Sequence, residues 1–151
     1  MKRVLLDTNV VLDALLDRQP WSAAATQIWQ AHRAGKVEAH VNATSVTNIF
    51  YVSRKLIGRE RAWQGVHACL DQLRIIAVDV ALLQAAVAIG GGDLEDNLQI
   101  TCATAAKLEA IVTRDPAGFA HSPIEVLTPA QLLQRLTATT GPSADAQEHR
   151  Q

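Results

Sequence analysis

The chain is predicted to fold as an α/β layer protein with a largely parallel central sheet. Three observations carry that prediction. Short apolar segments alternate with longer amphipathic ones along the chain, the pattern of strands joined by helical crossovers. The short segments have near-continuous apolar cores, as strands do when helices cover both faces of a sheet. The 151 residues, 48% of them hydrophobic and 19% charged, are enough for one domain with its own core.

RVLLD, residues 3–7, is a first short strand that ends in an acid. From Asn9 the run VVLDALL takes helical spacing and breaks at Arg18-Gln19-Pro20. Trp21 to Ala34 reads as a second helix, with Ala24, Ile28 and Ala31 in one stripe and Gly35 as its stop. VEAHVN, 37–42, alternates as a second strand. Thr44 or Ser45 is the expected cap of a helix that carries Val46, Ile49, Phe50, Val52 and Leu56 and ends at Gly58. A helix from Arg59 to Leu70 and a strand over 73–78, RIIAVD, come next. Residues 79–89 form a helix stopped by three glycines, and another opens at Asp93 or Leu94 and runs to about Leu108. AIVTRD, 110–115, is a buried strand that again ends in an acid, and IEVLT, 124–128, is the last strand. Pro129 then opens a final helix over 129–136. The domain is placed at residues 1–136, and 137–151, which lacks periodicity, is expected to be a disordered tail.

A formal net charge of −1 gives no global attraction to nucleic acid, so any such contact needs a local basic patch. Cys69 and Cys102 are too few and too far apart for a disulfide framework or a zinc site, and are read as buried thiols. Lys2 and Arg3 before an apolar run imitate a signal peptide, but Asp7 and Asp13 interrupt the run and no small-residue cleavage site follows. No apolar stretch reaches the roughly 18 residues of a membrane span, so the expected location is the cytoplasm. His32, His40, His67, His121 and His149 are scattered without ligand spacing and are read as surface or packing residues. Trp21, Trp29 and Trp63 lie on amphipathic helices and are read as core or subunit-interface residues rather than base-stacking ones.

Ligands of a parallel sheet bind beyond the carboxyl ends of its strands. Two strands end there in Asp7 and Asp115. The stretch GGDLEDNLQ adds Asp93, Glu95 and Asp96 at the start of the late helix. Taken alone these acids are helix-starting carboxylates, a solvated turn or metal ligands. The helix they open must traverse the sheet before it feeds strand 110–115, which puts the cluster on the same rim. Carboxylates gathered together repel one another unless a cation neutralises them. Hard ions such as Mg²⁺ and Mn²⁺ prefer oxygen ligands, and a pair of them suits phosphodiester hydrolysis. An all-acid rim without histidine or cysteine fits these ions better than zinc.

LLDTNVVLDALL at the start, SVTNIFYVSRK in the middle and DLEDNLQITCATAAKLEAIVTRD late, on elements in that order, resemble the PIN-domain family over about residues 1–136. The likeness is to its branch of VapC-like ribonucleases, which form bacterial toxin–antitoxin pairs. It implies a three-layer α/β/α fold with a mainly parallel sheet of four to five strands. It also implies a cytoplasmic endoribonuclease that uses Mg²⁺ or Mn²⁺, is restrained by a cognate antitoxin and forms a homodimer. Water would attack the RNA phosphorus in line and leave 5′-phosphate and 3′-hydroxyl ends.

Carried over residue by residue, the resemblance makes Asp7 the first metal ligand, Asp96 the third acid and Asp115 the fourth. Asp93 is a further ligand or the cap of its helix, and Glu95 faces solvent or assists capping. Asn9 orients Asp7 or serves as a turn or cap residue, and Thr113 is a polar support. The family's second acid is usually a glutamate on the helix after the second strand, where this chain has Asn48. Asparagine offers a neutral oxygen that ligates or orients water but lowers the site charge by one. It is read as a catalytic variant. Arg54, Lys55, Arg114 and Arg18 are the candidate RNA contacts, with Arg54-Lys55 otherwise an ordinary solvated helix face. The alternative reading, prompted by Asn48, is a catalytically weak PIN-like module that binds RNA or a protein. A phosphatase of the haloacid-dehalogenase type is set aside because Asn9 stands where its second acid is needed. A dinucleotide site at IGGGD lacks the strand–turn–helix context.

Overall fold

In the computed structural model residues 2–139 are described. The first half runs β1 (Lys2–Leu6), α1 (Thr8–Leu15), α2 (Ser22–Arg33), β2 (Val37–Asn42), α3 (Ala43–Ile57), α4 (Arg59–Gln72) and β3 (Arg74–Ile76). The second half runs α5 (Val80–Ile89), α6 (Leu94–Ala105), β4 (Ala110–Val112), a 3-10 turn (Pro116–Phe119), β5 (Glu125–Leu127) and α7 (Pro129–Thr139). The strands form one sheet in the order β3-β2-β1-β4-β5, and every pairing is parallel. This is the predicted α/β sheet.

Strand alternation divides the core into two layers. Val4, Leu6, Ala110 and Val112 pack toward Val10, Val11, Ile28, Ile49 and Leu132 of α1, α2, α3 and α7. Leu5 and Ile111 point the other way, onto Ile100, Ala103 and Phe119. Helix α5 packs on α6 through Ala86, Leu98 and Cys102. Helices thus cover both faces, giving three layers, and the central strands can be apolar throughout. Cys69 and Cys102 are buried free thiols, and burial pushes both up to about 11. Among the described residues no helix is long and apolar enough to cross a membrane.

The sheet order places the ligand edge. From β1 the chain builds outward through β2 and β3, then returns to lay β4 and β5 on the other side of β1. Strand order therefore reverses between β1 and β4, and a crevice opens beyond the carboxyl ends at such a point. Asp7 follows the last residue of β1, and Thr113 follows the last residue of β4.

Several boundaries differ from the sequence reading, each for a local reason. Strand 110–115 shortens to Ala110–Val112 because the β1 ladder stops at Leu6 opposite Val112. Helix α3 is capped by Asn42, not by Thr44 or Ser45. The strand passes straight into the helix, and the Asn42 carboxamide oxygen accepts from the Ser45 amide at 2.8 Å. Helix α6 stops at Ala105 rather than near Leu108, where Lys107 takes φ of 55° and the Leu108 amide bonds back to the Ala103 carbonyl. The last helix continues to Thr139, past the expected boundary at 136. The rest of the expected tail, 140–151, lies outside the described residues.

Candidate active site

Asp7 occupies the N-cap position of α1, yet its carboxylate does not cap the helix. It turns into the crevice between strands, where only 8% of the residue is exposed. Two neutral donors hold it, one on each oxygen. The Thr113 hydroxyl donates to Oδ2 at 2.8 Å, and the Gln99 carboxamide donates to Oδ1 at 3.1 Å. Thr113 and Gln99 are themselves fully buried. Gln99 lies one turn after Asp96 on α6, and its oxygen faces the Asn42 carboxamide at 3.5 Å. Burial raises the Asp7 carboxyl above its ordinary range and Glu95 adds to the rise, while Thr113, the Thr8 amide and Arg114 oppose it.

Asp96 sits in the first turn of α6. It is raised to about 6, first by burial and then by the charges of Asp93, Asp7, Glu95 and Asp115. Asp96 and Asp115 border one point in space. A Cβ added to Gly118 would lie 2.9 Å from Asp96 Oδ2 and 3.6 Å from Asp115 Oδ2. Thr113 joins Asp115 to the same arrangement, because its hydroxyl accepts from the Asp115 amide at 3.0 Å while donating to Asp7. One side chain thus ties the acid after β1 to the acid after β4.

The remaining candidates divide. Asp93 is the cap of α6, its Oδ1 accepting from the Asp96 amide at 3.0 Å. Glu95 is exposed, as expected, yet its Oε1 also accepts from the Thr8 hydroxyl at 3.0 Å. Thr8 shares a second bond of 2.9 Å with the Ser45 hydroxyl of α3. Asn48 is half-buried one turn beyond Ser45, on the same face of α3. Asn9 does not orient Asp7; it is exposed, and its carboxamide oxygen accepts from Arg18 at 3.2 Å. Arg114 is not a free phosphate contact either, since its guanidinium lies against the Asp13 carboxylate and stacks 3.8 Å from the Trp21 ring centroid. Arg54 and Lys55 are exposed in the last turn of α3. Helix rise separates them from Ser45 by roughly 14 Å, well away from the acids. Trp29 is a core residue that donates to Gln72 at 2.8 Å, whereas Trp63 is exposed and packs on Phe50 at 4.6 Å.

Thr8, Asn42, Ser45 and Gln99 have no place among the site residues of the sequence reading, where Ser45 stands only as a helix cap. Gln99 left a signal there, being an amide three residues after Asp96 in an apolar helical run. The hydroxyls left none.

Among the described residues no three acids, histidines or cysteines stand close enough to grip one ion as they lie. The donor set nevertheless fits a hard divalent cation in kind. It is all oxygen, and burial together with the charges of Asp93, Asp7, Glu95 and Asp115 raises the Asp96 carboxyl to about 6, a strain that a cation relieves.

A family model for the PIN domain matches residues 3–117. No curated protein sequence matches. Among solved structures, DNA-bound VapBC from Salmonella typhimurium matches at a TM-score of 0.67 and 16% identity, over 85% of this chain and 99% of that one. VapC20 from Mycobacterium tuberculosis, described as a sarcin–ricin loop cleaving toxin, matches at 0.67 and 11%, over 82% and 98%. A toxin–antitoxin complex from Klebsiella pneumoniae matches at 0.62 and 22%, over 83% and 97%. At these identities the likeness is one of fold.

Proposed function

The chain belongs to the PIN domain family, and from that premise we propose that it is a metal-dependent endoribonuclease of the VapC-like toxin type. The observation that carries the proposal is the approach of Asp7, Asp96 and Asp115 at the strand-order reversal. Burial and then the charges of neighbouring acids raise Asp96, and neutral donors rather than cations hold both oxygens of Asp7. Carboxylates in that setting are arranged for a cation that arrives with or before substrate. The toxin–antitoxin complexes among the structural neighbours support an antitoxin partner, and one neighbour's description as a sarcin–ricin loop cleaving toxin supports RNA as substrate. Val80, Leu83 and Val87 of α5 are exposed, a surface of the kind a protein partner covers. A homodimer in the cytoplasm belongs to the same proposal.

Asp7, Asp96 and Asp115 would hold Mg²⁺ or Mn²⁺, with Asn48 as a neutral oxygen at the α3 side. The ion supplies Lewis-acid activation of water and neutralises charge on the phosphodiester. The protein's own part is orientation. Thr113 and Gln99 fix both oxygens of Asp7, and Asp93 caps α6 so that Asp96 projects from its first turn. Gly118 leaves the space that the Asp96 and Asp115 carboxylates occupy. The net reaction adds water across the P–O3′ bond, giving 5′-phosphate and 3′-hydroxyl ends.

The test is purified protein on single-stranded RNA with Mn²⁺ or Mg²⁺ and with chelator, beside Asp7→Asn and Asp96→Asn. Cleavage that needs the metal and disappears in both variants is expected. Cleavage that survives both substitutions rejects the site. RNA bound but not cut by the wild-type chain selects the second reading, a PIN-like binding module, which Asn48 and the spread of the acids favour.

A further inference from the structure

We propose that Asp13 is a positioning residue that locks the two acid-bearing segments of the site into register. The proposal rests on the metal-dependent reading above. Asp13 is 1% exposed, in the last turn of α1. Two guanidiniums converge on it. Arg18 Nε donates to Oδ1 at 2.8 Å. Arg114 donates through Nη2 to Oδ1 at 3.3 Å, and its Nε lies 2.7 Å from Oδ2, in charge contact but out of hydrogen-bond alignment.

The far ends of this network give it a purpose beyond packing. Arg18 reaches back to both the carbonyl and the side-chain oxygen of Asn9, at 3.3 and 3.2 Å. That grips the segment Asp7-Thr8-Asn9 immediately after β1. Arg114 stands between Thr113 and Asp115, and Trp21 covers its guanidinium. That grips the segment immediately after β4. Thr113 and Asp115 face the crevice while the guanidinium of Arg114 between them is held on Asp13, and that hold restrains the rotation of the loop. Beyond the last β1–β4 ladder pair, at Leu6 and Val112, the Asp7 amide still donates to the Val112 carbonyl at 2.9 Å and the Thr113 hydroxyl to Asp7 at 2.8 Å. The ionic network adds a second tie between the two segments where the ladder stops. Buried ion pairs are weak as general stabilisers, and in some proteins their role is to specify geometry.

Titration of the full-length chain with MnCl₂ alone, by calorimetry, tests the idea beside thermal melts. Asp13→Asn is expected to weaken Mn²⁺ binding about tenfold or more, as loss of an orienting partner does. Arg18→Gln, which releases only the Asn9 end from a partly exposed position, should weaken it by a smaller factor. A triple variant separates positioning from charge and from bulk stability: Asp13→Leu, Arg18→Met and Arg114→Met. It replaces the network by apolar side chains, which restores packing, and it removes one net positive charge, which by itself tightens cation binding. The expected result is a melt near that of the wild type with weakened Mn²⁺ binding. Wild-type or tighter binding in the triple variant overturns the proposal. If the triple variant does not fold, Arg18→Gln decides, and unchanged affinity there overturns it. Wild-type protein that binds no Mn²⁺ removes the metal reading and this inference together. Variants that bind like an Mn²⁺-competent wild type remove the inference alone.

Discussion

Asp7 and Asp13 stand at the two ends of α1, both nearly inaccessible to water and in opposite electrical settings. Asp13 has two arginines on its oxygens. Asp7 has a hydroxyl and a carboxamide, and the larger charge effect on it, from Glu95, has the same sign as its own, with Arg114 opposing more weakly. A buried carboxylate with its counter-charge supplied is complete. One held by neutral donors beside other acids is oriented but not neutralised, and that is the state a metal ligand needs. The comparison separates an acid with its counter-charge supplied from one proposed as a metal ligand, without reference to any relative.

The comparison breaks most directly at Asp13. Asp13→Ala leaves two partly buried guanidiniums facing an empty pocket, and denaturant unfolding should show a loss of about 3 kcal/mol. Asp7→Asn keeps an acceptor for Thr113 and removes a repelled charge but sets its amide against the Gln99 donor, so its unfolding free energy should change by under about 1 kcal/mol. Its cleavage rate should nonetheless fall at least about a hundredfold, about 2.7 kcal/mol of barrier. Equal stability losses in the two variants would erase the distinction.

A finer probe is Gly118→Ala. The new methyl meets Asp96 Oδ2 at 2.9 Å and must displace that carboxylate. Moving the end of one half-buried side chain costs little folding free energy, under about 1 kcal/mol. It should weaken cleavage about tenfold, because the acid no longer points where Asp115 does. A variant that cuts RNA at the wild-type rate would show that the Asp96–Asp115 approach is incidental.

The same contrast explains what the sequence discloses. Asp7, Asp96 and Asp115 are legible because their places follow from local order: two lie past strand ends and one in a first helical turn. The turns and helix stops were legible for the same reason, as with Gly58 ending α3 and Asp93 standing at the start of α6. Roles that depend on tertiary pairing were not. Asn9 is two residues from Asp7, but helical geometry swings its side chain to the opposite side, toward Arg18. Arg114 looks like a phosphate contact because it adjoins Asp115, and nothing local announces that Asp13, about a hundred residues away, claims it. Glu95 looks solvent-facing on a helical wheel. First-turn side chains lean toward the helix N-terminus, which carries its carboxylate to Thr8.

The mildest probe of the contrast is pH. The Asp96 carboxyl titrates at about 6 in the folded chain, against about 3.9 for an unfolded aspartate. Between those values the folded state holds more protons than the unfolded one, so stability falls as pH rises. Asp7, also raised, contributes with the same sign. Without metal, unfolding free energy should therefore decline from about pH 4 to about pH 6, by about 1 kcal/mol once solvent screening of a partly exposed group is allowed for. Mn²⁺ should reverse the trend, stabilising the chain more at pH 7 than at pH 5 because below about 6 it competes with the proton on Asp96. Asp96→Asn removes the largest part of the decline and of the Mn²⁺ effect together. Asp13→Asn leaves the metal-free decline in place, since it does not touch the repelling carboxylates. A decline that persists in Asp96→Asn would place the responsible group elsewhere and remove repulsion at the rim as the mark of the functional acids.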